Sequence, residues 1–589
     1  MRSFEIWKVA GRGSLLVILL LSLLWWSVSA CDREREDSSS PDDDESTLES
    51  PSDDDGYAEA SSSAYDALED VEPMEPQDVG PEAGAIYFLS GLKGYTEPCG
   101  CTVDVLLGGI DRATAFVKDA RKLHPDALFV DAGDWMFEHD DVPEHFEPQE
   151  SAKAEVLADA YRHMGALFSV PGNRDLALGS EFYLSMMEKA EMEPLGANIS
   201  FGEEALRPSM SVELDGQEVL FVAAGDPSTY EGVDGVEVGD DRAAIEQAVG
   251  DGDADVVILV FQGNAIRAGE IVEEVEGIDF VIVGHEPRKQ RDAQPLASSY
   301  LLEAYDQGRY VGRLKLYAGS DSGRFVDGRA GIREQRDALD QQIEQIRLDV
   351  RRLEVRTDGE PTPIMERLRE RLKGLEERRQ TLLSEGIEIP SDHPAFLYDL
   401  IALEPGYRLD ETMRQRREDY NRSLAELNAN IDRDVIPVSP GEPFFVGTPK
   451  CATCHFQAHD FWEGTAHASA VATLEERHKE FDQNCIGCHV DGWEQPGGSV
   501  LGKISYEAEL GGETFTKDLS EVGCESCHGA GSKHVLDPVG EGQKPQHIDR
   551  FPGEDACTQC HVPDHSPSFD FDVYVERITG EGHELSGRD

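Results

Sequence analysis

Cys451-Ala-Thr-Cys454-His455 is the first of four Cys-x-x-Cys-His motifs near the carboxyl end of this 589-residue chain. The other three are Cys485-Ile-Gly-Cys488-His489, Cys524-Glu-Ser-Cys527-His528 and Cys557-Thr-Gln-Cys560-His561. Two thiols at this spacing attach the edge of a c-type haem, and the adjacent histidine is the proximal ligand of its iron. The motifs therefore predict four haem c groups, with the eight cysteines as attachment points and the four histidines as proximal ligands.

Zinc is the competing interpretation, because paired Cys-x-x-Cys motifs also form four-sulfur zinc sites. Zinc gives no reason for a histidine directly after every second cysteine. It also fits poorly with an exported chain, in which free thiols oxidise. We therefore favour haem.

The first thirty residues have the pattern of an export signal. Basic Arg2, Lys8 and Arg12 precede an apolar run over residues 15–26, which leads to Val28-Ser29-Ala30-Cys31. This pattern resembles a bacterial lipoprotein signal over residues 1–30, with cleavage before Cys31 and lipid on that cysteine. An ordinary signal peptide and an uncleaved anchor helix are the alternatives. All three place most of the chain outside the cytoplasm, and we expect a lipid anchor on the periplasmic side of a bacterial cell envelope.

The chain is strongly acidic, with a formal net charge of −65. Residues 32–83 hold 20 acidic and 2 basic residues, with serine and proline between them. This composition predicts an acidic disordered tether over residues 31–83. The acidity argues against nucleic acid as a partner. We expect contact with redox partner proteins, and with the membrane through the amino-terminal lipid.

Residues 84–325 alternate between short apolar runs and helical patterns. Runs at 219–224, 255–261 and 280–284 predict buried strands, and residues 109–123 and 152–164 predict helices. This alternation predicts an α/β domain whose functional loops follow the carboxyl ends of its strands.

Residues 332–430 predict a helical hairpin and a linker helix. Leu339, Ile343, Ile346 and Val350 follow a heptad seam, and leucines recur at sevens from Leu368. Residues 357–363 interrupt the seam with Asp, Gly and two prolines. One more helix is expected at 413–427, before a tetrahaem domain over residues 441–589.

The sixth ligand of each iron should be a histidine, because no methionine follows Met413. His467 and His534 are the best candidates for distal ligands, since small residues surround both. His583 and His478 are further candidates, whereas His459, His547 and His565 fit solvated surface positions equally well. We expect bis-histidine ligation as the rule, with one open iron as an alternative, and low potentials.

The phrases around His467, His534 and His565 resemble multihaem cytochromes of the c-552/4 type over residues 441–583. The resemblance implies closely stacked haems and mostly bis-histidine iron. It implies a mostly irregular and helical domain and does not identify a redox partner.

Four fragments of the α/β domain carry a second resemblance. They are Gly108-Gly109-Ile110-Asp111-Arg112, Asp131-Ala132-Gly133-Asp134, Gly172-Asn173-Arg174-Asp175 and Gly284-His285-Glu286-Pro287. These fragments resemble the calcineurin-like metallophosphoesterases, in particular the 5′-nucleotidase branch. The resemblance implies an α/β sandwich with two metals between strand ends and a metal-activated water that attacks phosphate.

The fragments depart from that family at several ligands. Asp134, Asn173 and His285 match ligand positions, but Arg174 stands where the family has its catalytic histidine. Gln262 stands where another histidine ligand is expected, and Cys99-Gly100-Cys101 replaces the opening Asp-x-His. We therefore expect a degenerate metal site and no ordinary phosphatase activity.

Cys99 and Cys101 lie two residues apart, which places both side chains on one face of an extended segment. One interpretation is a single divalent metal, zinc or iron, held by this pair with Asp134 and His285, and with Asn173 as a further candidate ligand. A redox dithiol served by the haems and a structural disulfide are the alternatives.

Two functions fit these residues. The first is an envelope-anchored tetrahaem cytochrome that carries electrons, with the α/β domain as a docking or redox partner module. The second is an enzyme, a metal-dependent phosphohydrolase or a reductase, that uses the α/β domain as its site and the haems as wiring. We expect electron transfer.

Overall fold

The structure is a computed structural model that describes residues 73–78, 80–99, 106–320, 323–357, 361–428, 433–538, 547–562, 565–566, 569–580 and 582–583. The predicted export signal, Cys31 and most of the predicted tether lie outside the described residues, as does Cys101. For Cys99 the structure describes the backbone alone.

Twenty β-strands occur in the described part of the chain. In chain order they are β1 Gly84–Leu89, β2 Pro98–Cys99, β3 Leu107–Gly108, β4 Leu128–Asp131, β5 Phe168–Ser169, β6 Glu193–Pro194, β7 Ile199–Phe201, β8 Glu204–Ala205, β9 Ser209–Leu214, β10 Gln217–Gly225, β11 Val236–Val238, β12 Val256–Gln262, β13 Phe280–Val283, β14 Gln294–Leu296, β15 Ser299–Leu302, β16 Tyr310–Tyr317, β17 Val326–Asp327, β18 Ala395–Ala402, β19 Ser505–Leu510 and β20 Glu513–Asp518.

Fifteen α-helices accompany them within the same described ranges. They are α1 Ile110–Leu123, α2 Glu147–Met164, α3 Gly179–Ala190, α4 Asp241–Gly250, α5 Ala265–Glu274, α6 Arg333–Arg356, α7 Pro363–Glu385, α8 Glu411–Asn428, α9 Thr448–Ala452, α10 Phe456–Glu463, α11 Ala470–Glu475, α12 Cys524–His528, α13 Ser532–Leu536, α14 Glu554–Cys557 and α15 Phe571–Ile578.

Two mixed sheets form the α/β part. One has the order β17-β18-β16-β1-β4 and the other β14-β15-β13-β12-β10-β9. Strands β10, β12, β13 and β15 run parallel to one another in the second sheet, as β1 and β4 do in the first. The carboxyl ends of β4, β12 and β13 lead into the loops that carry the candidate ligands of the α/β domain.

The two sheets pack face to face. Strand β10 shows this, because its side chains alternate between the core that lies between the sheets and the core under the helices. Val219, Phe221 and Ala223 join the large core shared with the first sheet. Leu220 and Val222 point the other way, onto α4 and α5. The predicted fold class, an α/β sandwich followed by a hairpin and a largely irregular and helical segment, is confirmed.

The helical hairpin is an insertion into the first sheet. Helices α6 and α7 pack together with Ile343 and Ile346 buried in the seam. The chain then returns as β18, which pairs along its whole length with β16. The α/β layer therefore continues past the predicted boundary at residue 325, because the apolar run of β18 completes the sheet on the far side of the hairpin. The predicted linker helix forms as α8 and packs on α1 and α2.

The last residues of the predicted tether are packed against the sheet. Asp78 accepts a bond of 2.7 Å from Lys315 Nζ, whose side chain is fully buried. The Met74 amide donates to the carbonyl of Gly406. This corrects the tether prediction for residues 73–78 and 80–83, because the buried Lys315 requires a carboxylate partner at this point.

No helix within the ranges that the structure describes is both long enough and apolar enough to traverse a bilayer.

Candidate functional site

The Cys-x-x-Cys-His motifs lie on short helical turns of the carboxyl-terminal segment. Helices α9, α12 and α14 carry parts of three motifs, and a 3₁₀ turn at Ile486–Cys488 carries the remaining one. Residues three apart on a helical turn lie on the same face. Both thiols of a motif can therefore reach one edge of the same flat ligand.

Two proximal histidines are fixed in the tautomer that a metal ligand needs. His489 Nδ1 lies 2.5 Å from the carbonyl oxygen of Ala470, and His528 Nδ1 lies 2.6 Å from that of Asp549. A carbonyl oxygen can only accept, so Nδ1 carries the proton in both rings. The lone pair of Nε2 is thus left for a metal ion.

Two proximal histidines face predicted distal histidines. The ring centroids of His455 and His534 are 6.2 Å apart, and those of His561 and His467 are 6.3 Å apart. Imidazole nitrogen binds a metal at ~2 Å, so two rings on opposite sides of one ion have centres roughly 6 Å apart. Both pairs therefore have the separation of axial ligands to one metal ion.

Partial desolvation favours the neutral form of two of these rings. Desolvation lowers the pKa of His467 and of His455, and the neighbouring His561 and His534 lower them further. The Nδ1 atom of His534 is buried with no hydrogen-bond partner. Neutral imidazole is the form that binds metal, so the environment suits ligation.

The two remaining distal candidates, His583 and His478, lie in different environments. His583 has a buried Nδ1 atom without a partner, and burial followed by the rings of His528 and His455 lowers its pKa. It therefore lies near both His528 of the third motif and His455 of the first. His478 lies exposed on the surface.

Three of the four motifs converge on one cavity of about 2430 Å³. Residues of the second, third and fourth motifs line it, including Cys485, Cys527 and Cys560. Thiols of different motifs lie beside each other, Cys451 beside Cys524 and Cys488 beside Cys560. Protein interiors contain few voids, and a cavity of this size lined by thiols and imidazoles fits bulky planar cofactors.

The cavity extends to the α/β domain. Tyr95, Thr96 and Glu97 from the loop before β2 line it, as do Glu138 and His139 from the loop after β4. The α/β domain thus supplies one wall of the cavity that holds the second motif.

A largely buried ion cluster joins the two parts of the chain at this wall. Glu97 accepts bonds of 3.2 Å from Lys479 Nζ and 2.9 Å from Arg417 Nη1. Burial would raise the pKa of Glu97, but Lys479 and Arg417 outweigh it and hold the pKa far below its usual value. Arg417 also bonds Asp111 at 2.9 Å.

The segment before the second motif is held by α2. Gln149 donates to Asp482 at 2.8 Å, and Asn484 donates to Glu150 at 3.0 Å. Asn428, at the end of α8, donates to the carbonyl oxygen of Phe481 at 2.7 Å. These buried contacts fix the position of Cys485 relative to the α/β domain.

A second cluster lies where β4 and β13 end. Asp134 Oδ2 accepts from His285 Nδ1 at 3.0 Å and from Arg174 Nη1 at 2.9 Å. Asp134 is fully buried and has a φ of 55°. Arg174 also donates to Glu286 at 2.6 Å and to the carbonyl oxygen of Glu138 at 3.0 Å.

The charge on Arg174 is strongly favoured. Burial alone would lower the pKa of its guanidinium, but Asp134 and Glu286 outweigh burial and raise it. Lys93 adds a second cation beside Glu286 and bonds Asp306 at 2.9 Å. Two cations thus face three carboxylates around this cluster.

The other candidate ligands are close but are not joined to Asp134. The amide of Asn173 donates to Asp140 at 3.4 Å, and its oxygen is buried without a partner. Both polar atoms of the Gln262 side chain are also buried without a partner. Asp175 holds the loop in place by accepting from the backbone amides of Gly172, Asp134, Trp135 and Met136.

These side chains do not fit a divalent metal as they stand. A guanidinium already neutralises Asp134, and a second cation at the same carboxylate would be repelled. Among the residues that the structure describes, the grouping with ligand-like spacing is half-buried His459 with exposed Asp460 and Glu463.

Sequence reasoning identified the motifs and the paired histidines but missed Glu97, Lys479 and Arg417 as the link between the two parts. An isolated charged residue gives no signal of its partner in the sequence. Arg174 was identified as a departure from a pattern, whereas the structure shows it as the centre of an ion cluster.

Residues 450–529 match the family model for cytochrome c554 and c-prime, which covers the first three motifs. Cytochrome c-554 of Nitrosomonas europaea is 30% identical over 146 residues, covering 20% of this chain and 57% of that protein. The chain therefore matches little more than half the length of this curated relative. The predicted resemblance of the carboxyl-terminal segment to multihaem cytochromes is confirmed.

Solved structures similar to the chain include metallophosphoesterases. A 5′-nucleotidase precursor from Thermus thermophilus aligns with 60% of this chain and 61% of its own, at 14% identity and a TM-score of 0.39. A 5′-nucleotidase from Staphylococcus aureus aligns with 67% of this chain and 66% of its own, also at 14% and 0.39.

The sulfate thiohydrolase SoxB of Thermus thermophilus aligns with 41% of this chain and 55% of its own, at 15% identity and a TM-score of 0.36. These TM-scores and identities are too low to transfer an activity, so the chemistry of the α/β part is argued from its own side chains.

Proposed function

We propose that this chain is an extracytoplasmic c-type cytochrome with four haems that carries electrons, anchored through a lipid on Cys31. The observation that supports this most strongly is the pairing of His455 with His534 and of His561 with His467, the second pair in the wall of the cavity. Each pair joins two histidines that are far apart in the sequence and holds them at the separation of two axial ligands of one iron. Binding of haem iron explains this arrangement.

The thiol pairs of the four motifs would hold haem c covalently, and the four following histidines would bind iron on the proximal side. His534 and His467 would be the distal ligands for the first and fourth motifs. His583 would serve the third, because it neighbours His528. His489 has no histidine partner among the described residues, which supports an open position at the second motif.

Haem c, when bound, supplies an iron that takes up and releases one electron. The protein contributes imidazole ligands and no methionine after Met413, which favours low potentials. Its carbonyl acceptors at His489 and His528 fix the rings and raise their basicity. The thioether bonds would keep all four groups in place during electron transfer.

The α/β domain serves in this proposal as a rigid wall for the second motif. Its buried contacts to Lys479 and Asp482 support that role. The phosphohydrolase alternative has weaker support, because three carboxylates crowd the cluster around Arg174 and disfavour a phosphate dianion. Cys99 and Cys101 stay candidates for a redox dithiol or a disulfide, outside the described side chains.

Mass spectrometry of the native protein tests the proposal directly. We expect four haem adducts, mapped by peptides to the four thiol pairs, and a spectrum that changes reversibly on reduction. A bare chain, or one that carries zinc at these cysteines, would contradict it.

A nucleotidase assay on the same preparation tests the alternative. Hydrolysis of nucleoside monophosphates that depends on added metal would favour the enzyme over the electron carrier.

A further inference from the structure

Three loops of the α/β domain bring together the donor types that bind divalent cations. Asp134 follows β4, Asn173 follows β5 and His285 follows β13. Carboxylate, amide oxygen and imidazole are ligands for zinc and manganese. The loops therefore have the chemistry of a metal site, yet the positive charge at their centre is a side chain.

Arg174 spans these loops with its guanidinium. Nη1 bonds the buried carboxylate of Asp134 at 2.9 Å, and Nη2 bonds Glu286, next to His285, at 2.6 Å. Nε donates to the carbonyl oxygen of Glu138 at 3.0 Å. A planar guanidinium with several fixed donors can hold several acceptors at once, which a lysine ammonium does less well.

Two buried groups beside the cluster have unused capacity for a ligand. The oxygen of Asn173 has no partner and the residue is 9% exposed, and Gln262 is fully buried with neither polar atom bonded. The Gln262 side chain lies against Gly133, Gly172 and Gly284, the glycines next to Asp134, Asn173 and His285. A small cation placed there would find oxygen and nitrogen donors around it.

We propose that Arg174 is the built-in cation of this centre and excludes a divalent metal from it. The guanidinium neutralises Asp134 and clamps the loops after β4 and β13, so the native domain is metal-free. Removal of this side chain converts the cluster into a divalent-cation site formed by Asp134, His285 and the amide oxygens of Asn173 and Gln262. This inference rests on the proposed function, in which the α/β domain is not a metallohydrolase.

Manganese content of the full-length haem-loaded protein provides the test. We compare native protein, Arg174→Ala, Arg174→Lys and Arg267→Ala after incubation with Mn²⁺ and dialysis at moderate salt. Arg267→Ala is the matched control, because it also frees a buried carboxylate, that of Asp241, and the other partner of Arg267 is the exposed Glu270. We expect one retained Mn²⁺ per chain in Arg174→Ala and none in the other three.

Thermal unfolding gives a second measurement. Mn²⁺ should raise the Tm of Arg174→Ala and leave that of the native protein unchanged, because a ligand stabilises only the state that binds it. Retention of stoichiometric Mn²⁺ by the native protein, or a fall in its Tm with chelator, would overturn the proposal. This measurement uses the native protein alone, so it remains decisive if Arg174→Ala does not fold. Equal manganese in Arg174→Ala and Arg267→Ala would also overturn it. The haem count is measured separately, so a chain without haem contradicts the proposed function alone.

Discussion

The rings of His467 and His561 face each other across 6.3 Å, although His467 follows the first motif and His561 belongs to the last. The first motif is likewise paired with His534, which follows the third motif. Neither pair is local in sequence. In the proposed ligation, the axial ligands of residues 441–589, here called the haem segment, would be interleaved, and its parts would depend on one another for a complete coordination shell.

Replacement of His467 by alanine should convert one of the four haems from low spin to high spin. The proximal His561 would keep its bond, and the opposite side of the iron would lose its strong-field ligand. EPR and absorption spectra of the oxidised protein measure this change. His478→Ala is the matched control, because His478 is exposed and should leave the spectra unchanged. An unaltered spectrum in His467→Ala would exclude this residue as a ligand.

Replacement of Glu97 by glutamine should destabilise the protein strongly. The change leaves Lys479 and Arg417 without their shared carboxylate, and loss of one partner from a buried ion pair costs about 3–5 kcal/mol. Unfolding by urea, followed by haem absorption, measures the effect. Glu155→Gln removes a partner of Lys189 and Arg416 at a partly exposed position and should cost less than about 1 kcal/mol. Equal costs for the two variants would argue against the buried link between domains.

Acid should destabilise the α/β sandwich through Asp399 in β18. Burial would raise the pKa of Asp399, but Arg313 and Arg329 outweigh it and hold the pKa well below the ordinary value of 3.8. A carboxylate with a depressed folded-state pKa contributes stability above its unfolded-state pKa and loses it as pH falls towards the folded value. Stability should therefore decline as the pH falls below about 4.

Asp399→Asn isolates this contribution. The variant should be less stable than the native protein at neutral pH and should show a smaller further loss below about pH 4. Circular dichroism at a series of pH values measures both. An acid profile identical to that of the native protein would show that other groups control acid unfolding.

Periodicity predicted the central strands β10, β12 and β13 and the helices α1 and α2, but missed most of the shorter strands and most of the strands at the sheet edges. Buried runs such as β10 and β12 have few other interpretations. The place of β18 could not be predicted, since nothing local in residues 395–402 indicates which strand it will join after the hairpin. The β19–β20 hairpin was missed, although Gly511-Gly512 between two short runs is a recognised two-residue turn signal.

The sequence predicted those parts of the candidate sites whose residues are adjacent in the chain, such as the haem attachment motifs. A Cys-x-x-Cys-His motif carries its geometry within one short stretch of sequence. The distal partners depend on tertiary packing, and the sequence could only rank them: His467, His534 and His583 lie near proximal histidines, whereas His478 is exposed. The role of Arg174 depends on Asp134 and Glu286, which are distant in sequence.

Replacement of Cys31 by serine should release the protein from membranes. A lipidated cysteine is the sole attachment in our proposal, and without it the acidic chain has no affinity for an anionic bilayer. Fractionation of cells that express Cys31→Ser and native protein measures the change. Persistence of the variant in the membrane fraction would indicate an uncleaved amino-terminal helix.

The haem segment has little apolar core of its own. Its one cluster of buried residues within the described ranges consists of Val471, Leu474, Ile486, Val490 and Leu501. A core this small does not offset the chain entropy of the segment, so bound haem has to contribute to folding. The α/β sandwich has a far larger core and does not share this dependence.

Replacement of Cys485 and Cys488 by serine together should therefore unfold the surroundings of the second motif and spare the α/β sandwich. Amide hydrogen exchange should rise by orders of magnitude around α11 and the following turn, while β10 and β12 keep native protection. His478→Ala is the control, because it changes an exposed residue outside the motifs and should leave both exchange and haem content unchanged. Native protection at α11 in a variant that lacks this haem would show that protein contacts alone, including those of Gln149 and Glu97, are sufficient to fold the segment.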